Sequence, residues 1–261
     1  MADAELPLIG HLEELRSRLL KALLAVGVAF CICYPNAEGI FDFLTAPLTR
    51  AGGDSEHPFL LIGTGVAEAF FTRMWVSFIA ALFVALPVIL YQIWRFILPG
   101  LHRREIQYGR GFVIAGTFFF ISGAAFCYAV AFDTAFPFFL EEYARIGVTP
   151  SIRINEYLSF TSRMLLAFGI IFELPVATFF LARVGLVSHV MLIKYVRHAI
   201  VIVFIVAAVL TPPDVVSQML MAMPLLVLYA LSISVAYVFY RPRMTPEDPD
   251  EAPGTGVVKR D

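Results

Sequence analysis

Ser162-Arg163-Met164-Leu165-Leu166-Ala167-Phe168-Gly169-Ile170-Ile171-Phe172-Glu173-Leu174-Pro175-Val176-Ala177-Thr178-Phe179-Phe180-Leu181-Ala182 is the stretch that decides the fold. From Met164 to Ala182 its only ionisable side chain is Glu173. At about 1.5 Å per helical residue the run crosses a hydrocarbon core of roughly 30 Å. A charged group at its midpoint costs about 2.5–3.5 kcal/mol on insertion scales, so such residues are rare in spans and mark function. Pro175 lacks a backbone N–H and frees the carbonyl of Ile171. One carboxyl group and one broken backbone bond therefore meet at mid-membrane depth, where protein or water must cover them.

The rest of the chain agrees with a membrane solvent. Of 261 residues, 59% are hydrophobic and 15% charged, with a mean hydropathy of +0.80. Soluble domains carry about 25% charged residues. The formal net charge of -2 gives no sign of a nucleic-acid partner. Cys31, Cys33 and Cys127 all lie in apolar runs, with neither disulfide nor zinc spacing. The first apolar run, Leu19 to Tyr34, lacks a small-residue cleavage site and follows a head holding Asp3, Glu5, Glu13 and Glu14, so it reads as a retained span.

On either side of the Glu173 segment the spans follow by length and punctuation. Pro7 can open a helix, after which Leu8, Leu12, Leu15 and Leu19 fall on one face. His11, Glu14 and Arg18 share another face, with Glu14 and Arg18 at i, i+4 spacing. This amphipathic helix runs into the first span, which ends near Tyr34-Pro35-Asn36. Residues 35–66 are expected as a long loop with a short interfacial helix around Ile40 to Leu48 and an extended piece at Phe59 to Ile62. The second span is expected from about Ala67 to Leu98, kinked at Pro87, and the third from Gly111 to Phe132. Residues 133–161 are expected as a second long loop. The fifth span, about Tyr195 to Leu210, is short, and the sixth runs from Val215 to Tyr240. The organisation is one six-span membrane domain over residues 1–240 and a polar, disordered cytoplasmic tail over 241–261. Fourteen of the 19 basic residues fall on the side of both termini, which the positive-inside rule makes cytoplasmic.

Five motifs now stand in order. His11-Leu12-Glu13-Glu14-Leu15-Arg16-Ser17-Arg18-Leu19 precedes the first span, and Ala46-Pro47-Leu48 lies in the first outer loop. Pro87-Val88-Ile89-Leu90-Tyr91-Gln92-Ile93-Trp94-Arg95-Phe96-Ile97-Leu98-Pro99 closes the second span. Phe168 to Pro175 lies in the fourth, and Leu210-Thr211-Pro212-Pro213-Asp214 joins the last two. From about Pro7 to Tyr240 the chain resembles the TatC family, the core subunit of the twin-arginine protein translocase. The resemblance implies an all-α integral membrane fold of six transmembrane helices in a glove-like concave bundle, with both termini cytoplasmic. It implies that Glu14 and Glu105 bind the paired arginines of a signal peptide, with Arg16, Phe96 and Pro99 shaping the same surface. Glu173 corresponds to the acid facing the family's concave cavity, and Asp214 and Gln218 to polar positions at the turn between the last two spans. The family implies TatA and TatB, or one bifunctional TatA-like subunit, as partners, self-assembly into a multimeric receptor, and energy from the proton gradient. It places the chain in a bacterial or archaeal cytoplasmic membrane. No cofactor is implied.

The residues support this reading by themselves. Glu14 and Glu105 sit at the cytoplasmic interface, and a carboxylate there can accept a two-point bond from a guanidinium. Glu13 adds a second acid beside Glu14, and the spacing from Pro7 and His11 selects Glu14. The main rival is a proton-coupled secondary transporter using Glu173, but the other spans offer almost no further charge for coupling. A phosphate-binding glycine loop and an intramembrane Ser/His or HExxH constellation are both missing from the sequence, so an enzyme is not expected.

Overall fold

The structure, a computed structural model, describes residues 5–52, 61–97, 109–210 and 215–240. Ten α-helices form there: α1 (Glu5–Cys33), α2 (Ala37–Ala51), α3 (Glu68–Ile97), α4 (Gly109–Phe126), α5 (Phe132–Arg145), α6 (Ile154–Phe172), α7 (Leu174–Arg183), α8 (His189–Lys194), α9 (Val196–Leu210) and α10 (Val215–Phe239). Among the described residues, five helical stretches are long and apolar enough to cross a membrane, and α9 is a shorter apolar helix. Their outward faces carry Leu19, Leu23, Leu24, Ile114, Phe118, Ile205, Val209 and Val227, all exposed. A surface this apolar has to face lipid, since soluble monomers rarely expose contiguous patches beyond a few hundred Å². The fold is therefore an all-α, multi-pass membrane bundle.

Lipid gives helices no hydrophobic reason to associate, so close backbone approach decides the packing. On α1 and α3 the seam is made of Val26 and Ala29 against Ala81 and Ala85, all buried. On α4 and α6 it is made of glycines. A Cβ on Gly123 would fall 2.6 Å from the Phe168 carbonyl oxygen, and one on Gly169 would fall 2.7 Å from the Phe120 ring. The end of the bundle holding the start of α1 and the end of α3 is called the inner end below. There Trp94, Phe112 and Phe180 close a triangle of rings with centroids 4.8–5.1 Å apart, joining α3, α4 and α7. Gly109 admits Trp94, whose Nε1 would lie 2.0 Å from a Cβ at that position.

The opposite end departs from the expected loops. The first part of the expected loop is helical: a 3-10 turn at Tyr34–Asn36 leads straight into α2, which runs to Ala51. Of the expected extended piece, Phe59 and Leu60 lie outside the described residues. Ile62 forms a single parallel bridge with Arg153, donating to the Ile152 carbonyl at 2.9 Å. Residues 133–145, expected as loop, continue the third span as α5. A π turn at Cys127–Ala131 separates α4 from α5. Past it Phe132, Ala135 and Phe136 are buried, while the acids Asp133, Glu141 and Glu142 are exposed.

Two tyrosines tie α2 down. Pro47 cannot donate to the carbonyl of Phe43, and the Tyr128 hydroxyl donates to that oxygen at 2.7 Å instead. The Tyr157 hydroxyl donates to the Leu44 carbonyl, also at 2.7 Å and buried. The Arg50–Asp133 pair, 3.4 Å apart and about half exposed, adds little beside them.

Candidate functional site: an inner carboxylate and a mid-membrane carboxyl group

Glu14 lies in α1, on the same helical stripe as Arg18, Ala22, Ala25 and Ala29. Ala25 and Ala29 belong to the seam with α3, so Glu14 continues that seam toward the inner end. Its side chain is 28% exposed, and Arg18, one turn on, is 16% exposed. Arg18 donates one hydrogen bond from Nη2 to Glu14 Oε1 at 2.9 Å. The i, i+4 pairing visible in the sequence is thus made. It engages one carboxylate oxygen and leaves Glu14 partly open to a second donor.

Glu13 and Arg16 point elsewhere. They share the exposed face of α1 with Ser17, Leu20, Lys21 and Leu24, which line a shallow depression. The structure therefore separates the two adjacent acids: Glu13 is on the outside of the helix and Glu14 is on the α3 side. Phe96 is half-buried at the end of α3. Two residues earlier, Trp94 is locked in the aromatic triangle. The next residue back from Phe96, Arg95, lies over the Tyr91 ring at 5.8 Å. Glu105, Pro99 and Asp214 lie outside the described residues.

Glu173 stands at a break between two helices, where α6 ends and α7 begins. Pro175 occupies the first turn of α7, where a missing N–H costs nothing. The Glu173 N–H bonds the Ile170 carbonyl at 3.1 Å, and the Glu173 carbonyl accepts from Ala177 at 2.8 Å. The break thus stays hydrogen-bonded while turning the side chain toward α4. There Gly116 makes room: both carboxyl oxygens lie 3.1 Å from where its Cβ would be, and Leu90 Cδ1 lies 2.9 Å from that point. Oε1 is buried with no hydrogen-bond partner among the described residues. A buried polar group left unpaired costs roughly 1–3 kcal/mol.

Gln218 lies near the start of α10 and engages α9. Its Nε2 donates to the Phe204 carbonyl at 3.0 Å, tying α10 to α9. Two polar residues escaped the sequence reading. Glu68, in the first turn of α3, accepts from the backbone N–H groups of Thr64 and Gly65 and braces the start of that helix. The signal was there: a threonine and glycine three to four residues ahead of an acid that opens an apolar run, much like a capping box. Gln92 is buried within α3, and its Oε1 has no hydrogen-bond partner among the described residues.

The chain as a whole is similar to known proteins. Residues 10–224 fit the family model described as Sec-independent protein translocase protein (TatC). A relative of that name from Desulforapulum autotrophicum is 45% identical over 256 residues, covering 98% of this chain and 92% of the relative. Another from Helicobacter pylori is 41% identical over 229 residues, covering 87% of each chain. A crystal structure described as the twin arginine translocase receptor TatC in DDM superposes with a TM-score of 0.78 at 33% identity, covering 87% of this chain and 99% of that one.

Proposed function

This chain belongs to the TatC family and is a component of Tat protein translocation, and from that premise we propose that it is the subunit that receives twin-arginine signal peptides. In this reading Glu14 and Glu105 hold the two signal-peptide arginines at the cytoplasmic face, with Arg16, Phe96 and Pro99 shaping the surface around them. Exported proteins then pass in the folded state, driven by the proton gradient. The membrane domain spans residues 1–240, and 241–261 form a cytoplasmic tail.

One observation carries the reading. Glu14 is set on the α3 side of α1, half-buried, with one oxygen bonded by Arg18 and the rest of the carboxylate open to a guanidinium. An arginine brings a planar pair of donors to such a group, and lysine brings a single point. Glu173 serves a separate task. Its open Oε1 at the helix break receives a polar group from a single-span partner of the TatA or TatB kind, and Asp214 and Gln218 are separate polar positions for that docking. A proton-coupled carrier would need a second titratable group near Glu173, and the facing residues Gly116 and Leu90 supply none.

The test is a strain lacking this protein, carrying a reporter with a paired-arginine signal. The reporter should accumulate folded in the cytoplasm and be exported again when the chain is restored. Normal export without the chain would overturn the proposal.

A further inference from the structure

Two polar groups remain unused at the inner end of the α1–α3 seam. They are Arg18 Nε and Gln92 Oε1, each buried with no hydrogen-bond partner among the described residues. One is a donor and the other an acceptor. Both lie on the stripes by which the helices meet. On α1 the stripe runs through Glu14, Arg18, Ala22, Ala25 and Ala29; on α3 it runs through Ala81, Ala85, Ile89 and Gln92. Val26 and Ala29 pack against Ala81 and Ala85, with Ala25 and Ile89 alongside. The two helices run in opposite directions. About two helical turns toward the inner end therefore bring Val26 to the level of Arg18 and Ala85 to Gln92.

We propose that Arg18 is a resident guanidinium that occupies Glu14 in the unliganded receptor and passes to Gln92 when a signal-peptide arginine takes its place. The inference rests on the reading of Glu14 as a receptor residue. Its physical basis is the asymmetry of the exchange. Arg18 gives Glu14 one hydrogen bond, from Nη2 to Oε1. An incoming arginine can bond both oxygens and so displaces it with a gain. An incoming lysine exchanges one bond for one and gains nothing. The resident arginine thereby sets a threshold that an incoming arginine clears and an incoming lysine only matches.

The second half of the exchange needs Gln92. Displaced from Glu14, the Arg18 side chain at 16% exposure cannot swing freely into water and requires a buried acceptor. Gln92, 9% exposed on the facing stripe, has one to spare. A neutral amide is suited to this task. It accepts the guanidinium after displacement without attracting it away from Glu14 beforehand.

The experiment uses the full-length protein in lipid nanodiscs and a fluorescent paired-arginine signal peptide, with its paired-lysine counterpart as comparison. Arg18→Gln should tighten arginine-peptide binding about 2- to 5-fold, the scale of a part-exposed ion pair. It should strengthen lysine-peptide binding by a similar factor, so that the paired-lysine peptide, which only matches the resident arginine in the parent, gains measurable binding. Arg18→Lys should act in the same direction with smaller size, which covers a failure of Arg18→Gln to fold. Gln92→Leu should weaken arginine-peptide binding about 5-fold or more, and should add nothing once Arg18 is already glutamine. The handover is overturned if Arg18→Gln and Arg18→Lys leave the binding of both peptides unchanged, or if Gln92→Leu acts equally in both backgrounds. Glu14→Gln tests the underlying reading separately. If that variant binds the arginine peptide as tightly as the parent, the receptor reading itself fails.

Discussion

Gly123→Ala should loosen the bundle at the place that positions Glu173. The added Cβ would fall 2.6 Å from the Phe168 carbonyl oxygen and 2.7–2.8 Å from Phe172 Cγ and Cβ. The first obstacle is backbone, so no side-chain rotation relieves it, and α4 must move away from α6. A separation of about 0.5–1 Å already forfeits a quarter to a half of the dispersion energy along such a contact. Overpacking of this kind costs about 1–3 kcal/mol, against a gain of about 0.5–1 kcal/mol for alanine over glycine in a helix. The clash wins, for a net loss of about 1–2 kcal/mol. The control is Gly27→Ala, where nothing lies within 4 Å of the new atom, so only the helix-propensity gain remains. Thermal unfolding of both variants in one detergent should show Gly123→Ala lower by several degrees, at roughly 2–4 °C per kcal/mol, and Gly27→Ala level or higher. Phe172 immediately precedes Glu173, so Gly123→Ala should also reduce export per molecule inserted. Equal melting of Gly123→Ala and Gly27→Ala would refute the close α4–α6 seam.

Three further outcomes follow from the same geometry. Glu173→Gln keeps a hydrogen-bonding group opposite Gly116 and should export nearly normally, whereas Glu173→Leu should insert at normal levels yet lose export; normal export by the leucine variant would remove the polar docking role. Helix α9 has 15 residues, or about 22 Å against a hydrocarbon core of roughly 30 Å, so four leucines inserted after Val203 should impair export without blocking insertion, and unchanged export would show that local thinning has no role. Tyr157→Phe leaves the buried Leu44 carbonyl without its 2.7 Å donor and should destabilise the protein by about 1 kcal/mol, read as a fall of a few degrees in melting; no shift would mean that α2 is held by other contacts.

Span number and the Glu173 break were legible because length, Pro175 and an isolated acid in an apolar run are local signals. Glu14 and Arg18 were legible for the same reason, being one turn apart on one helix. The α5 extension was hidden because Phe132 and Phe136 look like the end of a span, and exposed acids beside them look like a loop. Only the tertiary partners Tyr157 and Phe160, whose rings lie 5.6 and 6.2 Å from that of Phe136, show that this face is buried. The Tyr128 and Tyr157 anchors join residues far apart in the chain, and no local spacing announces them. Gln92 was passed over because one amide in an apolar run has many bland explanations. Its interest arises only when α1 is laid beside α3 and Arg18 is found on the same seam.

The central claim is that Glu14 and Glu105 together hold the paired arginines of a signal peptide. The direct measurement is binding or site-specific crosslinking of a labelled twin-arginine peptide to membranes carrying the parent chain, Glu14→Lys, Glu105→Lys and Glu13→Ala. A charge-assisted bond contributes about 1.5–3 kcal/mol, so each lysine variant should weaken binding roughly 10- to 100-fold or more, while Glu13→Ala, on the outer face of α1, should change it little. Unchanged peptide affinity in both Glu14→Lys and Glu105→Lys would contradict the account.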